Sequence, residues 1–137
     1  MNFEQIVRYT LEYSNQIRYY HWQTNSFAQH EALGKFYDGI SGTLDTLVEI
    51  WSGRLGNIKV DQGSVELVDY TDVESVIESA EALRQAWETF SDTIEYGDVK
   101  DQMRRAAEAM QLDEPPPDLK TISELEAKRN MRRDFDR

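Results

Sequence analysis

The two histidines of this chain lie within one stretch of eleven residues, 21–31, which runs HWQTNSFAQHE. The chain contains no cysteine, so a metal site built from its side chains has to use imidazole and carboxylate ligands. His21 and His30 are therefore the first candidate ligands. The alternative is a pair of helix-end histidines that form hydrogen bonds at the surface.

The spacing of the histidines determines whether they can act together. On one unbroken helix, nine residues turn through about 900°, which would place His21 and His30 on opposite faces. Thr24, Asn25 and Ser26 interrupt the helical pattern between them, and Ser26 precedes Gln29 at capping-box spacing. The sequence thus predicts two helices that fold back on each other, a corner at which the two rings can meet.

A pair of carboxylates follows on the second predicted helix. Asp45 and Glu49 are four residues apart, so their side chains share one helical face. Together with imidazoles they would suit iron, zinc or manganese. Asp45 lies fifteen residues beyond His30, however, which is about 22 Å along a helix. One subunit cannot bring both halves together, whereas a two-fold dimer with these helices antiparallel can, and it would do so twice.

These residues and intervals resemble the signature of the Dps family, the mini-ferritins of starved bacteria. Members carry a His-Trp pair at the end of the first helix and a His-Glu pair early in the second. An Asp and a Glu follow fifteen and nineteen residues after the second histidine. The matching residues here are His21, Trp22, His30, Glu31, Asp45 and Glu49. A looser likeness extends to virus-borne ferritin-like proteins whose histidine corner is similarly short.

The resemblance implies a ferroxidase centre between two-fold-related subunits. His21 and His30 of one subunit and Asp45 and Glu49 of the other would bind iron, with zinc or manganese as substitutes. Trp22 would intercept oxidising equivalents; a core position is the alternative for this residue. The implied activity is oxidation of Fe(II) by peroxide or oxygen. The implied assembly is a dodecameric shell that stores the ferric mineral.

The chain departs from the family pattern at the corner itself. The interval between His21 and His30 is three residues shorter than is usual in the family, and Gly34 occupies a position where some members have an acidic ligand. The lysine-rich arm that some members use to bind DNA is absent. These departures favour a second hypothesis, a non-catalytic ferritin-fold structural or assembly module with a partner-binding C-terminal tail.

The apolar pattern predicts an all-α four-helix bundle over residues 1–112, and the resemblance implies that this bundle is ferritin-like. The helices are expected at about 3–24, at about 27–54, after a cap formed by Thr71 with Glu74, and after Gly97. Residues 57–70 are β-prone and predict a long crossover or a small hairpin. A triple proline, 115–117, opens a polar extension, 113–137. Trp51 and Trp87 are expected in the core.

Three glycines lie within the second predicted helix. Gly34, Gly39 and Gly42 each cost this helix up to ~1 kcal/mol relative to alanine, so close approach of another backbone is expected.

The net charge of −11 disfavours DNA as a partner and favours cations. No apolar run approaches the length of a membrane span, and the start MNFEQ is not a signal peptide. A cytoplasmic location is therefore expected.

Overall fold

A computed structural model describes residues 1–110 of the 137-residue chain. Four helices are present in this part: α1 (Phe3–Gln23), α2 (Phe27–Leu55), α3 (Val73–Ser91) and α4 (Gly97–Ala109). Residues 1–110 contain no strand, so the all-α prediction is confirmed. The helix bounds agree with the expected ones to within about two residues. The predicted extension over residues 113–137 lies outside the described residues.

The helices form a bundle in which α1 packs against α2 and α3, and α4 packs against α3 and α2. Phe3, at the start of α1, contacts Phe90 at the end of α3 with ring centroids 6.0 Å apart, so α1 and α3 are antiparallel. Arg54, at the end of α2, pairs with Asp98 at the start of α4 at 3.0 Å, so α2 and α4 are antiparallel. Consequently α2 and α3 are parallel, and their connection has to travel the length of the bundle.

The connection between α2 and α3 is extended and runs along α1. The side-chain amide of Gln16 donates to the carbonyl of Val68 and accepts from its N–H, both at 2.7 Å. Two turns further along α1, the side-chain carbonyl of Gln23 accepts from the N–H of Tyr70 at 2.7 Å. The side chains of Gln16 and Gln23 thus form hydrogen bonds with backbone groups of the connection. In a hairpin, such groups would bond to the backbone of the other strand. The crossover prediction is confirmed and the hairpin alternative is wrong.

The ends of α1 and α2 are capped by local hydrogen bonds, and the predicted cap at Ser26 is confirmed. Asn2 begins α1 with a complete capping box. The Ser26 hydroxyl accepts from the N–H of Gln29 at 3.1 Å, while the Gln29 side chain accepts from the Thr24 hydroxyl at 2.6 Å. Gly56 ends α2 with a positive φ of 99°, a conformation that favours glycine. The corner between α1 and α2 is thus fixed by local hydrogen bonds on both sides.

The cap of α3 differs from the prediction by one residue. The Asp72 carboxylate, not the Thr71 hydroxyl, precedes the helix and accepts from the N–H of Ser75 at 2.7 Å. A carboxylate at this position also interacts favourably with the positive end of the helix dipole. The hydrogen bonds from Ser75 lower the pKa of Asp72 below its usual value.

The lowered pKa of Asp72 predicts a pH-dependent contribution to stability. Because the folded-state pKa is below the unfolded one, the stabilisation is complete above about pH 4 and is lost as the pH falls through the folded-state value. Asp72→Asn keeps a capping oxygen but cannot titrate. We expect the wild type to melt at a higher temperature than Asp72→Asn at pH 7 and at the same temperature near pH 2. Thermal unfolding followed by circular dichroism measures this, and a constant difference across that range would contradict it.

The core is centred on Trp87, as predicted. Its ring is fully buried, and its indole N–H donates to the Thr10 hydroxyl at 2.8 Å. Trp51 is partly buried and stacks on Phe3 with ring centroids 4.0 Å apart. Within residues 1–110 no helix is both long and apolar enough to cross a bilayer.

Candidate functional site

The corner between α1 and α2 brings the two histidines together. Only three residues separate Gln23, the last residue of α1, from Phe27, the first of α2. Thr24 is buried in this link, and its N–H donates to the carbonyl of Tyr20 at 2.9 Å. The rings of His21 and His30 stack with centroids 3.7 Å apart and an interplanar angle of 15°. The predicted approach of the two imidazoles is confirmed.

Each histidine is also hydrogen-bonded to the backbone of the other. Nδ1 of His21 lies 2.5 Å from the carbonyl oxygen of His30, and Nδ1 of His30 lies 2.8 Å from the carbonyl oxygen of His21. Residues near the end of α1 and the start of α2 are thereby joined twice. The reciprocal bonds were not predicted, because they depend on the rotation of each ring and not on residue spacing.

The reciprocal bonds determine the tautomer of both rings. A carbonyl oxygen can only accept, so Nδ1 of each neutral imidazole must carry the proton. The lone pair then resides on Nε2, the nitrogen that would coordinate a metal. Metal-binding histidines commonly have one nitrogen fixed in this way by a carbonyl. The corner therefore leaves the lone pair of each neutral ring on Nε2.

The ring of His21 lies against the backbone of α2 at Gly34. A Cβ atom built at Gly34 would be 3.1 Å from Cε1 of His21 and 3.4 Å from its Nδ1. The Tyr37 ring lies nearly perpendicular to the His21 ring, with ring centroids 5.5 Å apart at 85°, and the Arg18 guanidinium lies 5.0 Å from the Tyr37 ring centre. Sequence reasoning missed these contacts; the available signal was a glycine one helical turn after His30.

The structure does not bring the carboxylate pair to the histidines. Asp45 and Glu49 are exposed on α2, which continues without a break from Phe27 to Leu55. Their distance from His30 is therefore set by the helical rise at about 22 Å or more. Among residues 1–110, no three His, Asp or Glu side chains are close enough to hold an ion together.

The carboxylate pair lies on the exposed side of α2, and His30 lies between this side and the buried one. At about 100° per residue, Asp45 is rotated about 60° from His30 around the helix axis, and Glu49 about 100°. In the other direction from His30, the buried residues Leu33, Ile40 and Leu47 are rotated by about 60°, 80° and 100°. A second molecule placed along the exposed side could contact both halves.

Trp22 is exposed, so the core alternative for this residue is wrong. Its side chain is 58% accessible, and its ring meets the edge of Tyr19 with centroids 5.5 Å apart. This pair lies on the outer surface of α1, directly beside His21 in sequence. A role in electron transfer is compatible with that position and stays a prediction.

Within residues 1–110, the glycines of α2 do not contact the backbone of another element. A Cβ at Gly39 or Gly42 would meet nothing within 4 Å, and the one at Gly34 would meet a side chain. Gly42 instead borders an open cavity of about 320 Å³ between α2 and α4, lined also by Thr46 and Arg105. The expectation of close backbone approach is therefore wrong for contacts within residues 1–110.

Residues 1–110 thus form an all-α bundle of four helices with a histidine pair fixed at the corner between α1 and α2. A family model described as a family of unknown function, DUF5856, matches residues 21–113. The chain belongs to this family, and the match begins at His21 and includes the carboxylate pair. No curated protein matches the chain, and no solved structure matches it.

Proposed function

We propose that this protein binds Fe(II) as a substrate between two copies of the chain and oxidises it. The observation that carries the proposal is the mutual fixing of His21 and His30, which leaves Nε2 of each ring as the metal-binding nitrogen. Asp45 and Glu49 would supply the carboxylates from the second copy. Zinc or manganese would bind as substitutes, since imidazole and carboxylate ligands accept both.

The topology supports this proposal. A single long crossover between the second and third helices is the connection found in ferritin-like bundles, and α2 and α3 are joined in this way. In an antiparallel pairing of two α2 helices, the histidine end of one reaches the carboxylate end of the other when the two-fold axis passes near Asp38. An isologous interface then forms two equivalent sites. A dodecameric shell would be built from such dimers.

The stacking of the rings favours two ions per site. A metal lies in the plane of the imidazole that binds it, and the planes of His21 and His30 are nearly parallel, at 15°. Two such rings cannot direct Nε2 at one ion without unstacking. Each ring would then bind its own ion. Asp45 and Glu49 would supply carboxylate ligands and offset the charge of the two ions.

Two bound Fe(II) ions match the electron demand of peroxide. One molecule of hydrogen peroxide takes one electron from each Fe(II) and two protons from solvent, giving two Fe(III) and two waters. The net charge of −11 would favour entry of cations and retention of the ferric product as mineral. Trp22 would supply an electron when only one Fe(II) is present, with oxidation of its indole.

One observation favours a second function. The histidines already bond to each other's backbone, and this alone would hold α1 and α2 together without a metal. In this alternative the protein is a structural or assembly module, and the C-terminal segment, 113–137, binds a protein partner. It predicts that metal removal leaves the assembly unchanged and that deletion of residues 113–137 abolishes partner binding.

Anaerobic titration with Fe(II), followed by addition of peroxide, tests the proposed function. We expect saturable binding and rapid oxidation by the wild type, and loss of both in His21→Ala and in Asp45→Asn. Glu74→Gln is the matched control for Asp45→Asn, since Glu74 is an exposed carboxylate on α3 and its replacement changes the charge equally. Equal Fe(II) oxidation by all four proteins would refute the proposal.

A further inference from the structure

We propose that Gly34 is the positioning residue of the histidine pair. Its missing side chain provides the space in which the His21 ring lies, and this sets the stack with His30. The inference deepens the proposed function and rests on it for its effect on metal affinity. The effect on ring geometry is independent of any metal.

The contact at Gly34 involves the nitrogen-bearing edge of the ring. A Cβ built there would lie 3.1 Å from Cε1, 3.4 Å from Nδ1 and 4.0 Å from Nε2 of His21. The closest of these distances is shorter than ordinary van der Waals contact, so the ring would have to move. A larger side chain at this position would also stand beside Nε2, where an ion has to approach.

The His21 ring has little freedom to retreat from such a contact. Its Nδ1 is bonded to the carbonyl of His30 at 2.5 Å, and its face is stacked on the His30 ring at 3.7 Å. The Tyr37 ring meets it edge to face at 5.5 Å. A shift of a few tenths of an ångström must therefore disturb the stack or the hydrogen bond. The space at Gly34 therefore keeps the His21 ring in the position at which its Nδ1–H donates to the carbonyl of His30.

Gly39 provides a matched control on the same helix. It is exposed, and a Cβ added there would meet nothing within 4 Å. Alanine in place of either glycine increases helix propensity by the same amount. The two variants, Gly34→Ala and Gly39→Ala, therefore differ in the contact with His21 and not in the intrinsic preference of the helix.

The first measurement uses metal-free protein and nitrogen-15 NMR of the imidazole rings. The chain has two histidines, so a His21→Ala spectrum assigns both. Near pH 9, where histidine is ordinarily neutral, we expect both wild-type rings as the Nδ1–H tautomer, and the same for Gly39→Ala. In Gly34→Ala we expect shifted ring resonances and mixed tautomers. An Nε2–H tautomer in the wild type, or wild-type spectra for Gly34→Ala, would overturn the inference.

The second measurement is anaerobic Fe(II) affinity in the same three proteins. Displacing a group that orients a metal ligand typically weakens binding about 10–100-fold, and we expect this loss for Gly34→Ala, with Gly39→Ala within about twofold of the wild type. Equal affinities for the two variants would contradict the metal-binding consequence. Absence of Fe(II) binding by the wild type would refute the proposed function, while the NMR comparison still decides the positioning role.

Discussion

Mixing the inactive variants His21→Ala and Asp45→Ala is expected to restore about one quarter of the wild-type Fe(II) sites. The two halves of the proposed site come from different copies, so a mixed dimer contains one doubly damaged site and one intact site. Random reassortment makes about half of the dimers mixed, and half of the sites in each are intact. The expected gain is from no saturable binding to about 25% of wild-type capacity.

The measurement is Fe(II) titration after the two variants have been unfolded together and refolded. A mixture of His21→Ala with His30→Ala is the control, because both changes lie in the same half of the site and no mixed dimer regains a full set of four ligands. Recovery in the control mixture, or none in the test mixture, would contradict a site shared between copies. The structural alternative predicts no Fe(II) binding in any mixture.

Trp87→Ala is expected to destabilise the fold by about 3–5 kcal/mol, the usual cost of removing a large aromatic side chain from a core. The Trp87 side chain is fully buried, and its ring lies edge to face against Phe3 at 6.3 Å and against Phe90 at 6.5 Å. A domain of this size has a total stability of about 5–15 kcal/mol, so this loss is a large fraction of the total. Urea denaturation followed by circular dichroism measures the loss.

Two further tryptophan variants separate the contribution of the Trp87 N–H from that of its apolar volume, and a buried tryptophan from an exposed one. Trp87→Phe keeps most of the apolar volume and removes the N–H that donates to the Thr10 hydroxyl, so we expect a loss of about 1–2 kcal/mol. The Thr10 hydroxyl still donates to the carbonyl of Ile6 at 2.7 Å. Trp22→Ala, at a side chain 58% exposed, should change stability by about 0.5 kcal/mol. A loss for Trp22→Ala equal to that for Trp87→Ala would contradict this description of the core.

The helices could be predicted because their signals are local. The cap at Ser26 depends on residues within one turn, and it is confirmed. The cap of α3 differs from the prediction because two overlapping patterns compete. Thr71 has Glu74 at capping-box spacing, whereas the Asp72 carboxylate accepts from the N–H of Ser75, and aspartate is the stronger capping residue. The path of the crossover depended on Gln16 and Gln23, whose amides could equally have faced solvent.

The site was predictable in its components but not in its geometry. The approach of His21 to His30 could be predicted because the helical pattern breaks at residues 24–26. The separation of these histidines from Asp45 could be predicted because the rise per residue of α2 is constant. Gly34 was interpreted as a missing acidic ligand. Its contact with the His21 ring depends on ring rotation and the angle between α1 and α2, and neither is encoded in residue spacing.

The histidine corner also has a consequence for the order of folding. His21 and His30 are nine residues apart, whereas Gln16 and Val68, which fasten the crossover, are 52 residues apart. Closing a short loop costs less chain entropy than closing a long one, and local contacts form faster. We therefore expect the α1–α2 hairpin, with both imidazoles stacked, to form before α3 and α4 are in place. A nascent chain would carry its histidine pair assembled while the rest of the bundle is still unfolded.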